Sequence, residues 1–501
     1  MKQFITRFLS MKTALMAFLF LQLTACQTRH VDYHKITVFS PSEVKQDAAY
    51  LLRILKDVDI SAWENISEKD FQKKLQNTIE NNFWLQSRLD VFRDFAPLVA
   101  SLGEIHSQLI YPNNLSQTDG FYNEFFPLLV LCEEEGIFVA KDMSEREIIP
   151  SGAEILSING IGIEQLIANM SRFVPKETAA GQRRLIQVNF EQLLTRELGL
   201  KAPFTLEWRL GYLKTKTYYP QQKISAVTIP ETQDKSETQA KGNEFIRYGI
   251  RYLDNDVAIL WLTDFESPPE KFKNYLNKIF PELTQKGINK LVIDLRYNSG
   301  GIGDNVLTLL SFLEDKSIQW TKKITLKNSK AFRSLNRKRV KQAKREKLGS
   351  KLDWLPTEYL SGWNWDLLFG SNGEVIEQQI KPEPLQPTDN RYQGALGVIT
   401  NGHCFSACAL FVDYIQQSGR GVIVGEDAGS LVGIQYGYPI LMTLPNTGLQ
   451  ISVPVARIQS SDKAYKVVPD IKISRRQEDI ANARDPELAG AISSLIALTK
   501  E

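Results

Sequence analysis

The 501-residue chain has few of the side chains that most often carry proton and sulfur chemistry, with only four His and four Cys. So few cysteines exclude a small disulfide-stapled scaffold. Charge of one sign is also missing: 60 Lys and Arg face 58 Asp and Glu, a formal net charge of +2. The conspicuous apolar run, Ala14 to Leu21, is too short to span a bilayer. With 43% hydrophobic residues the composition is ordinary and globular, which excludes disordered and collagen-like chains. This length accommodates roughly two to four domains.

The near-zero net charge conceals an asymmetry. Between Lys322 and Lys351 stand 13 Lys/Arg and one acidic residue, Glu346, leaving 47 basic against 57 acidic residues elsewhere, a net of −10. A basic patch on an acidic body argues against a general nucleic-acid binder. The stretch Lys338 to Lys347 reads first as a solvated helix; facing anionic lipid or capping a cleft are the other readings. The aromatic stretch Trp354 to Phe369 reads as packing.

Lys2, Arg7 and Lys12 precede the apolar run, and Leu23-Thr24-Ala25-Cys26 follows it. This is a signal-peptide layout whose ending resembles a bacterial lipobox, implying cleavage before Cys26 and lipid attachment there. Met11 would serve equally as a start, and an ordinary signal peptide is the alternative. Gln27, rather than Asp, resembles the outer-membrane sorting context of lipoproteins. His30 and His34 then fall in a tether, leaving His106 and His403 as candidate bases.

Residues 41–111 carry apolar positions at helical spacing, and short strands take over at about Asn123. From Phe245 to Ser474 strands and helices alternate, which implies a parallel sheet covered by helices, with active groups at the strands' C-terminal ends. Two loops qualify. Tyr297-Asn298-Ser299-Gly300-Gly301 has tandem glycines that let backbone N–H groups face an oxyanion. A dinucleotide fingerprint is the rival reading of Gly301-Ile302-Gly303, but Val306 stands where a third glycine is needed. The second loop, Asn401 to Ser406, puts a hydroxyl at a helix start, where serine is more often a simple cap than a nucleophile. Pairing with the glycine loop favours the nucleophile.

Three ordered motifs, Leu291-Val292-Ile293-Asp294-Leu295-Arg296-Tyr297-Asn298-Ser299-Gly300-Gly301, Gly397 to Glu426, and Val467-Val468-Pro469-Asp470-Ile471, resemble those of the C-terminal processing, or tail-specific, serine peptidases. The resemblance implies a multidomain α/β protein: signal peptide 1–25, tether and helical domain 26–120, PDZ-like module 121–230, linker 231–244, crotonase-like catalytic core 245–475 with a basic insert 321–395, and C-terminal helix 476–501. Ser151 to Gly160 matches the segment typical of PDZ domains, which bind peptide ends; a β-insert without peptide binding is the alternative. The resemblance further implies Ser406 as nucleophile and backbone N–H groups of Gly300, Gly301 and Ala407 as oxyanion donors.

The departures carry information too. Leu431 stands 25 residues after Ser406, where many members have the Lys of a Ser/Lys dyad, and Ala409 replaces a usual Glu. A second, tricorn-like branch uses a His from the helical region, and Leu102-Gly103-Glu104-Ile105-His106-Ser107 resembles its motif. That implies His106 as base, Ser107 as its relay neighbour and Asp462 as the orienting acid, with His403 in competition. Cys404, Cys408 and His403 make a weak zinc signal, so no metal or other cofactor is expected. The two cysteines are expected free and buried, with a bond to each other or to Cys132 as the alternative. The expected function is a membrane-anchored periplasmic endopeptidase acting on protein C-termini or unfolded chains, with a lipid bilayer as partner through the anchor and nucleic acid excluded. An inactive peptide-binding lipoprotein of the same fold is the rival.

Overall fold

The computed structural model describes residues 36–81, 83–110, 126–220, 246–253, 256–316, 318, 321–334, 371–381, 385 and 388–498. The signal segment with Cys26, His30 and His34, the linker 231–244, the charged run Lys338 to Lys347 and the aromatic stretch Trp354 to Phe369 lie outside them.

Three helices open the described chain: α1 (Pro41–Asp57), α2 (Glu68–Glu80) and α3 (Arg88–Ala100). Each begins with a serine whose hydroxyl accepts the N3 backbone N–H: Ser40, Ser67 and Ser87. The helices do not close a core by themselves. Leu51, Leu55, Phe71 and Phe95 share one buried cluster with Leu326, Ile451 and Val453 from far along the chain. The strand β1 (Gln108–Ile110), which follows α3, pairs antiparallel with Gln450–Val453 and is an edge of its three-stranded sheet among the described strands.

The next module is an antiparallel sheet of Leu128–Cys132, Ile137–Asp142, Glu154–Ile158, Phe204–Leu210 and Leu213–Tyr219. Its alternating buried and open positions fit a sheet with one packed face. Helices α4 (Ile163–Met170) and α5 (Ala179–Val188) and a π-helical turn, Leu193–Glu197, pack on it. From helix α5 Arg184, buried, pairs with Glu133 of this module at 3.0 Å and with Glu426, far along the chain, at 2.9 Å.

The core is a six-stranded sheet in the order Tyr248–Leu253, Val257–Leu262, Lys290–Asp294, Ala395–Thr400, Val422–Gly425, Ile471–Lys472, parallel except for the first pair. Its strands are near-continuous Val, Ile and Leu because both faces are covered. Helices Pro269–Gln285, Gly303–Ser311 and Ala407–Ser418 bury one face, and Pro486–Leu498 the other. The described ends of the basic insert form an antiparallel pair, Lys323–Lys327 with Val375–Gln379, that joins Ala456–Gln459 and Ile434–Gly437 in a four-stranded sheet.

Candidate active site

Lys290–Asp294 and Ala395–Thr400 are parallel neighbours, with Asp294 opposite Ile399, so the loops leaving their C-terminal ends lie side by side. The first passes through Gly300 and Gly301 into the helix at Gly303, and the second through Ser406 into the helix at Ala407. Ser406 is held at φ +51°, ψ −121°, a conformation a serine rarely adopts and that costs on the order of 1–3 kcal/mol. The loop supplies what holds it there. The Ser406 N–H donates to Ser430 Oγ at 3.0 Å, Gln435 Nε2 donates to the Ser406 carbonyl at 3.3 Å, and Phe405 N–H donates to the Asn298 carbonyl. Its Oγ makes no cap and no other hydrogen bond among the described residues. Cys404 and Cys408 are joined in a disulfide across this turn, Cα to Cα 5.3 Å, which corrects the expectation of free thiols and removes both as metal ligands; Cys132 is the free, buried one.

Gly300 sits against the serine. At φ +95°, a Cβ there would fall 2.6 Å from the Phe405 carbonyl oxygen and 3.0 Å from Ser406 Cβ, so only glycine fits. Its own N–H is occupied, donating to Asn298 Oδ1 at 2.9 Å. Of the three expected oxyanion donors, Gly300 is therefore excluded by this bond, while the N–H groups of Gly301 and Ala407 find no acceptor among the described residues. Gly301 aligns with Phe265 in a parallel bridge, whose flanking bonds run from Phe265 N–H to the Gly300 carbonyl and from Ile302 N–H to the Phe265 carbonyl.

His106 is mostly buried, and its Nδ1 meets Glu104 Oε1 at 2.5 Å while its backbone N–H donates to Glu104 Oε2. With Nδ1 engaged, Nε2 is the nitrogen left to take a proton. Burial pulls the His106 pKa down, but the charge and hydrogen bond of Glu104, with Glu177 and Asp59 behind them, outweigh it and raise the value above 6.5. Ser107 is fully buried: its hydroxyl donates to Asp59 Oδ2 at 2.8 Å and, at 3.4 Å, to Glu104 Oε2. Burial pushes Asp59 up to about 6, against the hydroxyls of Ser61 and Ser107.

The expected acid, Asp462, is not brought to His106. It lies exposed on a bend and makes no hydrogen bond or ion pair among the described residues. The orienting carboxylate is Glu104, two residues before the histidine, because the turn after α3 folds its side chain back onto the ring. Glu104 lay in the motif itself, and an acid two positions from a candidate base was the signal for it.

Glu177 had no such signal. Its carboxylate accepts Ile105 N–H at 3.0 Å and Leu431 N–H at 3.1 Å, and Gln435 Nε2 bonds both the Leu431 and the Ser406 carbonyls. One side chain from the second module therefore ties the His106 segment to the Ser406 segment, and Leu431, where a dyad lysine is missing, is held by its backbone. Burial, then the Glu104 charge, raises Glu177 to about 7.

His403 offers a poor base. Its ring stands edge-on to Phe405, its Nδ1 is buried with no partner among the described residues, and burial with the nearby Arg184 lowers its pKa to about 4. It is neutral at pH 7 but holds a proton too weakly to serve as an efficient general base.

A strained serine between a parallel strand and a helix, with a glycine loop packed on it, defines a hydrolase of the serine nucleophile type. Residues 256–473 match the model of peptidase family S41, so the chain carries an S41 peptidase domain and is a serine-type peptidase acting on polypeptides. Among solved structures it is similar to CPAF complexed with lactacystin, at 16% identity, TM-score 0.64, covering 92% of this chain and 98% of that one. Mature CPAF gives 15%, 0.64, 91% and 97%, and the photosystem II D1 C-terminal processing protease 15%, 0.40, 87% and 94%. The likeness to CPAF over nearly the whole length shows the fold. No curated protein matches the sequence.

Proposed function

We propose that Ser406 is the nucleophile of an endopeptidase and His106 its base. His106 Nε2 takes the Ser406 proton as Oγ attacks the peptide carbonyl and later delivers it to the leaving amine. Glu104 holds the imidazole in the tautomer that leaves Nε2 free and stabilises the imidazolium. The N–H groups of Gly301 and Ala407 face the oxyanion, the latter at a helix N-terminus whose dipole favours negative charge. The observation that carries this reading is the His106–Glu104 pair, tied through Glu177 to the strained Ser406 turn. In the structure no hydrogen bond joins His106 to Ser406 among the described residues, as is common before substrate closes a site.

By the same reading the substrates are protein C-termini or unfolded chains, taken in part by the PDZ-like second module. Cys26 carries the lipid that holds the enzyme on the periplasmic side of a bacterial envelope, in the outer membrane. Peptide hydrolysis by the purified protein, compared with Ser406→Ala and His106→Ala, tests the chemistry. A chain that binds peptides but cleaves none, with or without Ser406, would be the inactive binding lipoprotein instead.

A further inference from the structure

A cavity of about 110 Å³ lies between α3 and the second module, and the chemistry above makes no use of it. Phe92, Leu109, Phe173 and Leu193 supply apolar lining. Ser107 and Gln108, also in its wall, directly follow His106, so the cavity opens one residue from the proposed base. Pockets at such seams between modules are common ligand sites. The strand β1, to which Gln108 and Leu109 belong, is an edge strand of the kind an extended peptide can join, with alternate side chains dropping into pockets beside it.

Glu197, the last residue of the π-helical turn Leu193–Glu197 and only 6% exposed, also lines the cavity. Its Oε2 has no partner among the described residues, and its Oε1 receives one long bond, 3.5 Å from Gln192 Nε2. Burial pushes this carboxyl up to about 7, against Gln192, Arg93 and Arg196. A buried carboxylate oxygen without a donor is costly and calls for a donor from outside, and π-helical turns concentrate at functional sites.

The polar wall tells which sort of group would supply it. Ser107 Oγ donates to Asp59, and one N–H of each wall amide is taken: Gln108 Nε2 by the Ile105 carbonyl, Asn189 Nδ2 by the Leu185 carbonyl, and Gln192 Nε2 by Glu197. Among the lining residues Glu197 is the one ionisable side chain, so the charge this wall offers a ligand is negative. An apolar cavity with a buried carboxylate in its wall suits an alkyl stem with a cationic tip.

We propose that this cavity receives a lysine side chain of the polypeptide substrate, its methylenes against Phe92, Leu109 and Leu193 and its ammonium donating to Glu197 Oε2. The proposal rests on the peptidase reading, and a free alkylamine would share the chemistry.

The test is cleavage of a peptide series carrying Lys or its uncharged analogue norleucine at each position in turn, by the wild-type protein and by Glu197→Gln. Calorimetry with n-butylammonium, the lysine side-chain analogue, runs alongside. One position should prefer Lys by about tenfold or more in kcat/KM, and Glu197→Gln should bring the Lys/norleucine ratio close to one. n-Butylammonium should bind the wild type and not the variant, whose thermal unfolding confirms that it is folded. Leu193→Trp, which fills the cavity, should also abolish amine binding. No Lys preference at any position, or a preference that survives in Glu197→Gln, overturns the proposal. So does amine binding without any Lys preference in cleaved peptides, since the site would then serve free amines. If no peptide is cleaved and Ser406 takes no fluorophosphonate, the peptidase reading itself has failed. Amine binding then decides the cavity alone, supporting it if lost in Glu197→Gln and overturning it if absent from the wild type.

Discussion

Glu104 shows at the scale of one residue how the site is tuned. Because its charge is the largest effect raising the His106 pKa, the base is protonated, and unable to accept from Ser406, over a wider acid range than an ordinary histidine. Activity should therefore fall as pH drops through a midpoint above 6.5, seen as the acid limb of kcat/KM. In Glu104→Gln the charge is gone and burial dominates, so that limb should move to lower pH while kcat falls; an unmoved limb would show that another group sets it. Glu177 acts through position. Glu177→Ala frees the Ile105 and Leu431 N–H groups at once, and we expect kcat to fall roughly 10- to 100-fold with KM little changed. The sequence made His106 and Ser406 visible, since each stands in a local motif. It could not show Glu177, whose partners lie 72 and 254 positions away, and it pointed to Asp462 in place of the nearer Glu104.

At the scale of elements, the site depends on two strand-to-helix turns packed without a spare methyl between them. Gly300→Ala places a Cβ against the Phe405 carbonyl and in a backbone region that disfavours it. The expected outcome is a loss of about 1–3 kcal/mol in chemical denaturation and a slower reacting Ser406. These turns were legible because tandem glycines after a Val/Ile/Leu strand have few other uses. The disulfide was not, since Cys404 and Cys408 read first as free thiols, and only the folded turn brings their Cα atoms to 5.3 Å. Helix α5 is the other decisive element. Arg184 carries two buried carboxylates, and its removal leaves Glu133 without its ion-pair partner and Glu426 with Arg183 alone. Arg184→Ala should cost about 3–5 kcal/mol of stability by thermal or chemical unfolding, whereas a surface pair such as Arg209–Glu154 should cost under about 1 kcal/mol.

Over the whole molecule, strand alternation and motif order made the α/β core readable, because a buried parallel strand leaves a continuous apolar run. The sharing of one core between the N-terminal helices and strands more than 300 residues later was not readable, since only the folded chain brings Leu55 to Ile451. At this scale the anchor reading predicts that Cys26→Ser moves the protein from the membrane fraction to the soluble fraction of cells and abolishes incorporation of labelled fatty acid. The central claim is that Ser406 is an activated nucleophile served by His106. Labelling of the purified protein with a fluorophosphonate, located by mass spectrometry, tests it most directly. The account predicts stoichiometric modification of Ser406, lost in Ser406→Ala, slowed by roughly a thousandfold or more in His106→Ala and largely kept in His403→Ala. An unlabelled wild-type Ser406, or labelling as fast without His106 as with it, would contradict it.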